Sequence, residues 1–242
     1  MRLEDLADRL SSWIREQAEQ AGCRGVILGL SGGIDSAVVA ALCRNAFPDS
    51  CLALIMPCHS CDADAEDAEL VAKAFSIPTT RASLDDVFDR LIAGMQRPDF
   101  DPATCRLADA NLKPRLRMCT LYYFANRLNY LVVGTSNKSE IAIGYSTKFG
   151  DGGVDILPLG NLLKRDVERL AVHLGVPIRI IEKTPSAGLW DGQTDEGEMG
   201  VTYEQLDEYL STGRAPEAVS KRIDALVQAS AHKRALPPIP TF

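Results

Sequence analysis

The sequence predicts an α/β fold wound about a central parallel sheet, and three observations point to it. Short apolar runs recur along the chain, among them Val26-Ile27-Leu28-Gly29-Leu30, residues 51–56 and Leu131-Val132-Val133-Gly134, as expected of strands buried on both faces. Amphipathic helical stretches separate them, which is the alternation of a doubly wound sheet. Of the 242 residues, 46% are hydrophobic and 24% charged, ordinary globular usage that supplies a sizeable core and excludes wholesale disorder. The length suits one large α/β unit, and with no internal repeat or interdomain linker, residues 1–242 are expected to form one domain.

In chain order, Leu3, Leu6, Leu10, Trp13, Ile14 and Gln17 recur at helical spacing with Gly22 beyond them, so 3–21 is an amphipathic helix. The strand at 26–30 is followed by glycines and a helix starting near Ser36. A second strand at 51–56, a helix at 63–75, a short third strand at 78–83 and an amphipathic segment at 84–95 continue the rhythm. Residues 97–102 (RPDFDP) are a loop. Residues 103–128 are helical with an interruption around Pro114, because proline offers no N–H to the preceding turn. After the strand at 131–134, an amphipathic helix ends near His173, which is placed to pack or to offset the C-terminal dipole. Residues 145–160 and 184–200 are long, Gly- and Asp-rich and without periodicity, the mark of functional or mobile loops. Thr202 and Gln205 form a capping box opening a helix over 202–210, and a last helix runs from about 216 to 231.

Charge and cysteine usage exclude several classes. No apolar run approaches the roughly 20 residues of a membrane span, and MRLEDLADRL alternates charge with leucine instead of building a signal core, so a cytoplasmic protein is expected. A net charge of −7 argues against tight binding of nucleic acid, which depends on Lys and Arg neutralising phosphates. Seven cysteines, an odd number scattered without a secretory signal, read as reduced thiols and not as a disulfide framework.

The stretch that carries chemistry is Gly29-Leu30-Ser31-Gly32-Gly33-Ile34-Asp35-Ser36, set between a buried strand and a helix start. Two glycines let backbone approach a ligand closely, Ser31 and Ser36 add hydroxyls, and the helix N-terminus turns positive partial charge outward. That combination binds phosphate. It has neither the Gly-Lys-Ser/Thr of the Walker loop nor the third glycine of the dinucleotide fingerprint. Asp35 would repel a bare phosphate, and becomes useful where Mg²⁺ bridges it to phosphate oxygens.

These residues resemble the pyrophosphate-binding loop of the N-type ATP pyrophosphatases, which cleave ATP between the α and β phosphates to adenylate a substrate. Residues 111–122 (NLKPRLRMCTLY), 134–155 (GTSNKSEIAIGYSTKFGDGGVD) and the late pair His232-Lys233 resemble the ammonia-dependent NAD synthetases of that superfamily. The resemblance implies a three-layer sandwich of adenine-nucleotide alpha-hydrolase type, a homodimer, and amidation of deamido-NAD by ammonia at the expense of ATP. It implies that Gly29, Leu30, Ser31, Gly32, Gly33, Ile34, Asp35 and Ser36, with Thr135, Lys164 and Ser186, bind ATP. Arg115, Lys148, Asp155, His232 and Lys233 fall at the deamido-NAD positions. Asp35 and Glu140 fall at the Mg²⁺ positions, and Asp35, Lys148 and Lys164 are the implied catalytic groups. Ser136-Asn137-Lys138-Ser139 departs from the Asp-His-Ala-Ala of many bacterial members but keeps the spacing from Thr135 to Glu140. Ser186 preserves a hydroxyl where threonine is usual.

Other features have plainer readings. Cys58-His59-Ser60-Cys61 has the spacing of half a zinc or iron–sulfur set, but the other half is missing, so it reads as a thiol-bearing loop. Asp62, Asp64, Glu66, Asp67 and Glu69 read as a solvated helix face. Trp190 reads as loop packing, and Arg117, two residues from Arg115 and so turned another way on a helix, as a salt-bridged neighbour. Two rival functions are a tRNA-thiolating ATP pyrophosphatase using Cys58 and Cys61, and a non-catalytic nucleotide sensor. The acidic net charge and the paired carboxylates Asp35 and Glu140 weigh against them.

Overall fold

The computed structural model describes residues 2–95, 102–190 and 192–241, without the side chains of 102–105. Strands β1 (Gly25–Gly29), β2 (Cys51–Ile55), β3 (Thr79–Arg81) and β4 (Tyr130–Val133) form one parallel sheet in the order β3-β2-β1-β4. Between them run α1 (Leu3–Gln20), α2 (Ile34–Ala46), α3 (Asp62–Ala74), α4 (Asp85–Gly94) and α5 (Pro102–Leu128). After β4 come α6 (Lys138–Ile143), α7 (Lys164–Leu174), α8 (Ile178–Ile181), α9 (Asp195–Met199), α10 (Tyr203–Thr212) and α11 (Glu217–Ala229).

Period-two alternation builds the three layers. Val26, Leu28, Ala53, Ile55, Leu131 and Val133 face one side and pack with α1, α2, α3, α7 and α8, while Ile27, Leu54 and Val132 face α4 and α5. Every one of these strand residues is less than 9% exposed, which is why the strands read as continuous apolar runs. A satellite core of Ile143, Met199, Val201, Tyr203, Leu206 and Ile223 ties α6, α10 and α11 together.

Most expected boundaries hold within two residues, but the third strand is only Thr79–Arg81. The interruption expected at Pro114 is absent: the 27-residue α5 runs through it unbroken. One missing N–H removes one helical bond, and the apolar face on either side, Leu112 before the proline and Leu121 and Ala125 after it, still packs in the cluster that holds Ile27, Leu54 and Val132 of the sheet. The segment at 184–200 is not wholly irregular, since Thr194 accepts a bond from the Gly197 amide and caps α9. The capping box of Thr202 and Gln205 is formed as expected. Most of the loop expected at 97–102 lies outside the described residues. Among the described residues, Cys23, Cys43, Cys51, Cys58, Cys61 and Cys119 are free thiols.

From β1 the chain passes to β2 on one side, while beyond β4 it continues on the other, where Ile156 bridges Val133, so it leaves the carboxyl ends of β1 and β4 in opposite directions, opening the crevice in which such sheets bind ligands.

Candidate active site

The turn after β1 lies at that crevice. Gly32 has φ +78°, and an added Cβ would lie 2.5 Å from the Asp64 carbonyl oxygen and 2.7 Å from Asp67 Cβ, so only glycine fits. Ser36 Oγ donates to the Gly33 carbonyl (2.9 Å) and lies 3.1 Å from Ser31 Oγ, stapling the turn to the first turn of α2. The N-cap of α2 is Gly33 and no side chain caps it, so the dipole and the first amides of this helix are left for an anion.

Asp35 sits in that first turn, where two residues from beyond β4 hold it. Lys164 Nζ donates to Oδ2 at 2.5 Å and Asn137 Nδ2 donates to Oδ1 at 2.9 Å. Asn137 is also the N-cap of α6 and forms a capping box with Glu140, receiving the Glu140 amide (3.0 Å) while its own amide donates to Glu140 Oε2 (3.1 Å). The pairing Asn-x-x-Glu, visible in the sequence, therefore aims Glu140 toward Asp35.

Carboxylates outnumber cations here. Lys164 is 2% exposed, and its ammonium also lies 5.0 Å from the centre of the Tyr203 ring. Tyr203 Oη is 2.9 Å from Asp195 Oδ2 and 3.4 Å from Glu140 Oε1, and Tyr145 Oη lies 3.0 Å from Asp195 and 2.7 Å from Glu198. Withdrawal from water and the charge of Asp35 push the Glu140 carboxyl up to about 8. Asp195 is raised by burial, against the hydrogen bonds of Tyr203 and Tyr145. Burial alone would lower Lys164, but Asp35 and Glu140 outweigh it and hold the ammonium above an ordinary lysine. Among the described residues no cluster of three or more His, Cys, Asp or Glu is shaped to hold a metal unaided. Asp35 and Glu140, short of cations, do suit a Mg²⁺ whose remaining ligands are phosphate oxygens and water.

Of the expected substrate residues, Arg115, Lys148, His232 and Lys233 come together. Arg115 Nη2 donates to the Lys148 carbonyl (3.4 Å) and Lys148 Nζ to the His232 carbonyl (2.7 Å). Lys233 Nζ donates to the carbonyls of Gly144 (2.7 Å) and Ser146 (2.6 Å). Asp155 stands apart on the β4 edge, accepting from Tyr122 Oη and the Val132 amide, each at 2.8 Å. Ser186 Oγ accepts from the Gly188 amide (3.1 Å), and Gly188 abuts Asp64, so its loop reaches the Gly32 turn. Thr135 lies two residues beyond the end of β4, after Gly134.

Two expectations are corrected. The acidic run is not all solvated: Asp67 is 3% exposed and binds Lys183 Nζ (2.6 Å) and Arg179 Nε (2.7 Å), with Asp64 sharing Lys183 (2.7 Å). Its burial follows from the backbone of Gly32 packing directly on Asp64 and Asp67. Arg117 makes no salt bridge among the described residues; it donates to the Met56 carbonyl (3.1 Å) and Ser60 Oγ (3.0 Å), pinning the β2–α3 loop. Asn137, Tyr145, Asp195 and Tyr203 were not foreseen. Only Asn137 carried a local signal, its capping box. Trp190 packs under Arg106, whose guanidinium lies 4.6 Å from the ring, in keeping with loop packing.

A family model described as NAD synthase matches residues 6–237. The chain belongs to the NAD synthase family. Within that family it is 48% identical over 238 residues to an NH₃-dependent NAD⁺ synthetase of Carboxydothermus hydrogenoformans, covering 98% of this chain and 97% of the relative. In structure it is similar to an NMN synthetase from Francisella tularensis, with a TM-score of 0.94, 38% identity and full coverage of both chains. It is also similar to an NH₃-dependent NAD synthetase from Campylobacter jejuni in complex with nitrate, with a TM-score of 0.81, 30% identity and 99% of each chain covered. NAD synthase membership sets aside the thiolase and sensor readings.

Proposed function

We infer that this chain is an NH₃-dependent NAD⁺ synthetase that joins ammonia to the nicotinic-acid carboxyl of deamido-NAD, with ATP cleaved to AMP and pyrophosphate. The observation that carries the reading, beside family membership, is the meeting of Asp35, Lys164 and Glu140 under the uncapped N-terminus of α2. In the first step a carboxylate oxygen of deamido-NAD attacks the α-phosphorus and pyrophosphate leaves. In the second, ammonia attacks the acyl carbon, AMP leaves and one proton is released. Neither step needs a protein nucleophile, so the chain contributes position and charge.

The residues divide that work. Gly29 to Ser36 present amides and hydroxyls to the departing phosphates, and Thr135, Lys164 and Ser186 complete the ATP site. Lys164 sets positive charge against the charge that develops on phosphate in the transition state. Asp35 and Glu140 would hold Mg²⁺, which when bound neutralises phosphate oxygens and polarises the α-phosphorus. Arg115, Lys148, His232 and Lys233 offer a cationic patch to the dinucleotide phosphates, and Asp155 a carboxylate to a ribose or amide group. The Gly-rich segment carrying Lys148 screens the acyl-adenylate from water. We further propose a cytoplasmic homodimer. Arg115 and Asp155 are exposed in one copy and open to completion by a second, and among the described residues no helix is long and apolar enough to cross a membrane.

The likeness to the Francisella enzyme favours one alternative, amidation of the corresponding mononucleotide. Incubation with MgATP, ammonium and either deamido-NAD or nicotinic acid mononucleotide tests both. NAD, AMP and pyrophosphate in equal amounts, with the higher kcat/KM on the dinucleotide, are expected. A higher kcat/KM on the mononucleotide would transfer the assignment to NMN synthesis.

A further inference from the structure

Helix α7 begins without a cap of its own. Its N-cap position is Leu163, whose side chain has no oxygen to offer the first amides, and yet Lys164, the first residue of the helix, must be held against Asp35. The missing acceptors come from two other helices. Asp207, in the middle of α10 and 1% exposed, accepts the Arg165 amide on Oδ2 at 2.9 Å. Its other oxygen accepts from Ser139 Oγ at 2.5 Å, and Ser139 Oγ in turn accepts the Lys164 amide at 3.2 Å. Ser139, fully buried, immediately precedes Glu140, and Arg165 immediately follows Lys164. One carboxylate therefore grips the neighbours of both groups that face Asp35. Four residues earlier on the same face of α10, Tyr203 touches the Lys164 ammonium and Glu140.

We propose that Asp207 is a positioning residue for the reaction: through Ser139 and the Arg165 amide it caps α7 from a distance and sets Lys164 and Glu140 in register across Asp35. The inference rests on the proposed roles of Lys164 and Glu140. The side chain of Asp207 touches no reacting atom and acts through the backbone that carries those two, as outer-shell partners act on metal ligands.

The test compares Asp207→Ala, Asp207→Asn and Ser139→Ala in the full chain. Asparagine can still accept the Arg165 amide and donate to Ser139, so it serves as the conservative rescue. The folded Asp207→Ala enzyme should lose about ten- to hundredfold in kcat and need more Mg²⁺ for half-maximal rate, while KM for deamido-NAD stays near wild type and Asp207→Asn recovers most of the rate. Without nucleotide or metal, hydrogen exchange should quicken at the amides of Lys164 and Arg165 ahead of the sheet amides. Ser139→Ala should show the same pattern more weakly, and carries the test alone if Asp207→Ala does not fold. Folded Asp207→Ala or Ser139→Ala with wild-type kcat and wild-type Mg²⁺ dependence would overturn the proposal. A Lys164→Ala enzyme at wild-type rate would instead overturn the underlying reading of the site.

Discussion

Asp35 lies in the first turn of α2, partly buried but outside the hydrophobic core, and its partners Lys164 and Asn137 belong to the same site. Asp35→Asn should therefore leave the melting temperature near that of wild type and lower the rate of pyrophosphate release by roughly a hundredfold or more, the loss typical when a preorganised charge is taken from the reacting centre. A folded variant that released pyrophosphate at the native rate would overturn the proposed metal role of Asp35. The place of Asp35 beside the Gly-rich turn, on which its proposed metal role rests, was legible in the sequence. That Lys164 pairs with it across 129 positions of sequence was not legible from the residues themselves, since no local pattern relates two such distant groups. Asp67 was misjudged for a related reason. A carboxylate on a helix reads as solvated, and only the close approach of Gly32 shows that this one is covered.

Helices and strands with a strong pattern were legible to within a turn, and the short ones were not. β1, β2 and β4 announced themselves because both faces are buried and every position is apolar. α6 has six residues, too few for a periodicity to show, but it carries its own start signal in Asn137 and Glu140. Asn137→Ala should remove both the cap and the bond to Asp35. A cap is worth about 1 kcal/mol, so a modest fall in melting temperature is expected together with a several-fold loss of kcat, and Asn137→Asp should restore the cap without the amide that Asp35 accepts from. Equal kcat in all three proteins would show that the cap serves stability alone. Pro114 teaches the opposite lesson, since propensity argued for a break and packing of α5 on the sheet overrode it.

At the scale of the molecule the prediction concerns the nitrogen donor. Among the described residues no thiol is hydrogen-bonded to a histidine: Cys58 precedes His59, but its thiol faces the Leu84 carbonyl while His59 Nε2 pairs with Asp89, and burial pushes up the thiols of Cys43, Cys51 and Cys58, that of Cys51 to about 12. A glutaminase needs an activated thiolate. Ammonium should therefore support synthesis and glutamine alone should not. Because ammonia and not ammonium attacks the acyl-adenylate, the total ammonium needed for half-maximal rate should fall as pH rises, over the range in which circular dichroism shows the enzyme folded. Equal rates with ammonium and with ammonia-free glutamine would contradict the assignment, and a half-saturation point independent of pH would show that the free base is not the attacking species.

By itself the sequence determined the parallel sheet, the Gly-rich turn after β1 and the carboxylate beside it, because each is a local pattern: apolar runs, adjacent glycines, a helix start. It also carried the likeness to the NAD synthetases, residue by residue from the turn to His232-Lys233. Only the tertiary structure decided that Lys164, Asn137, Glu140, Tyr203 and Asp195 meet around Asp35, and that Asp207 lies behind them. The strand order places β1 between β2 and β4, so segments more than a hundred residues apart converge at one crevice, and their charges take on meaning only there, where burial removes the water that would otherwise screen them.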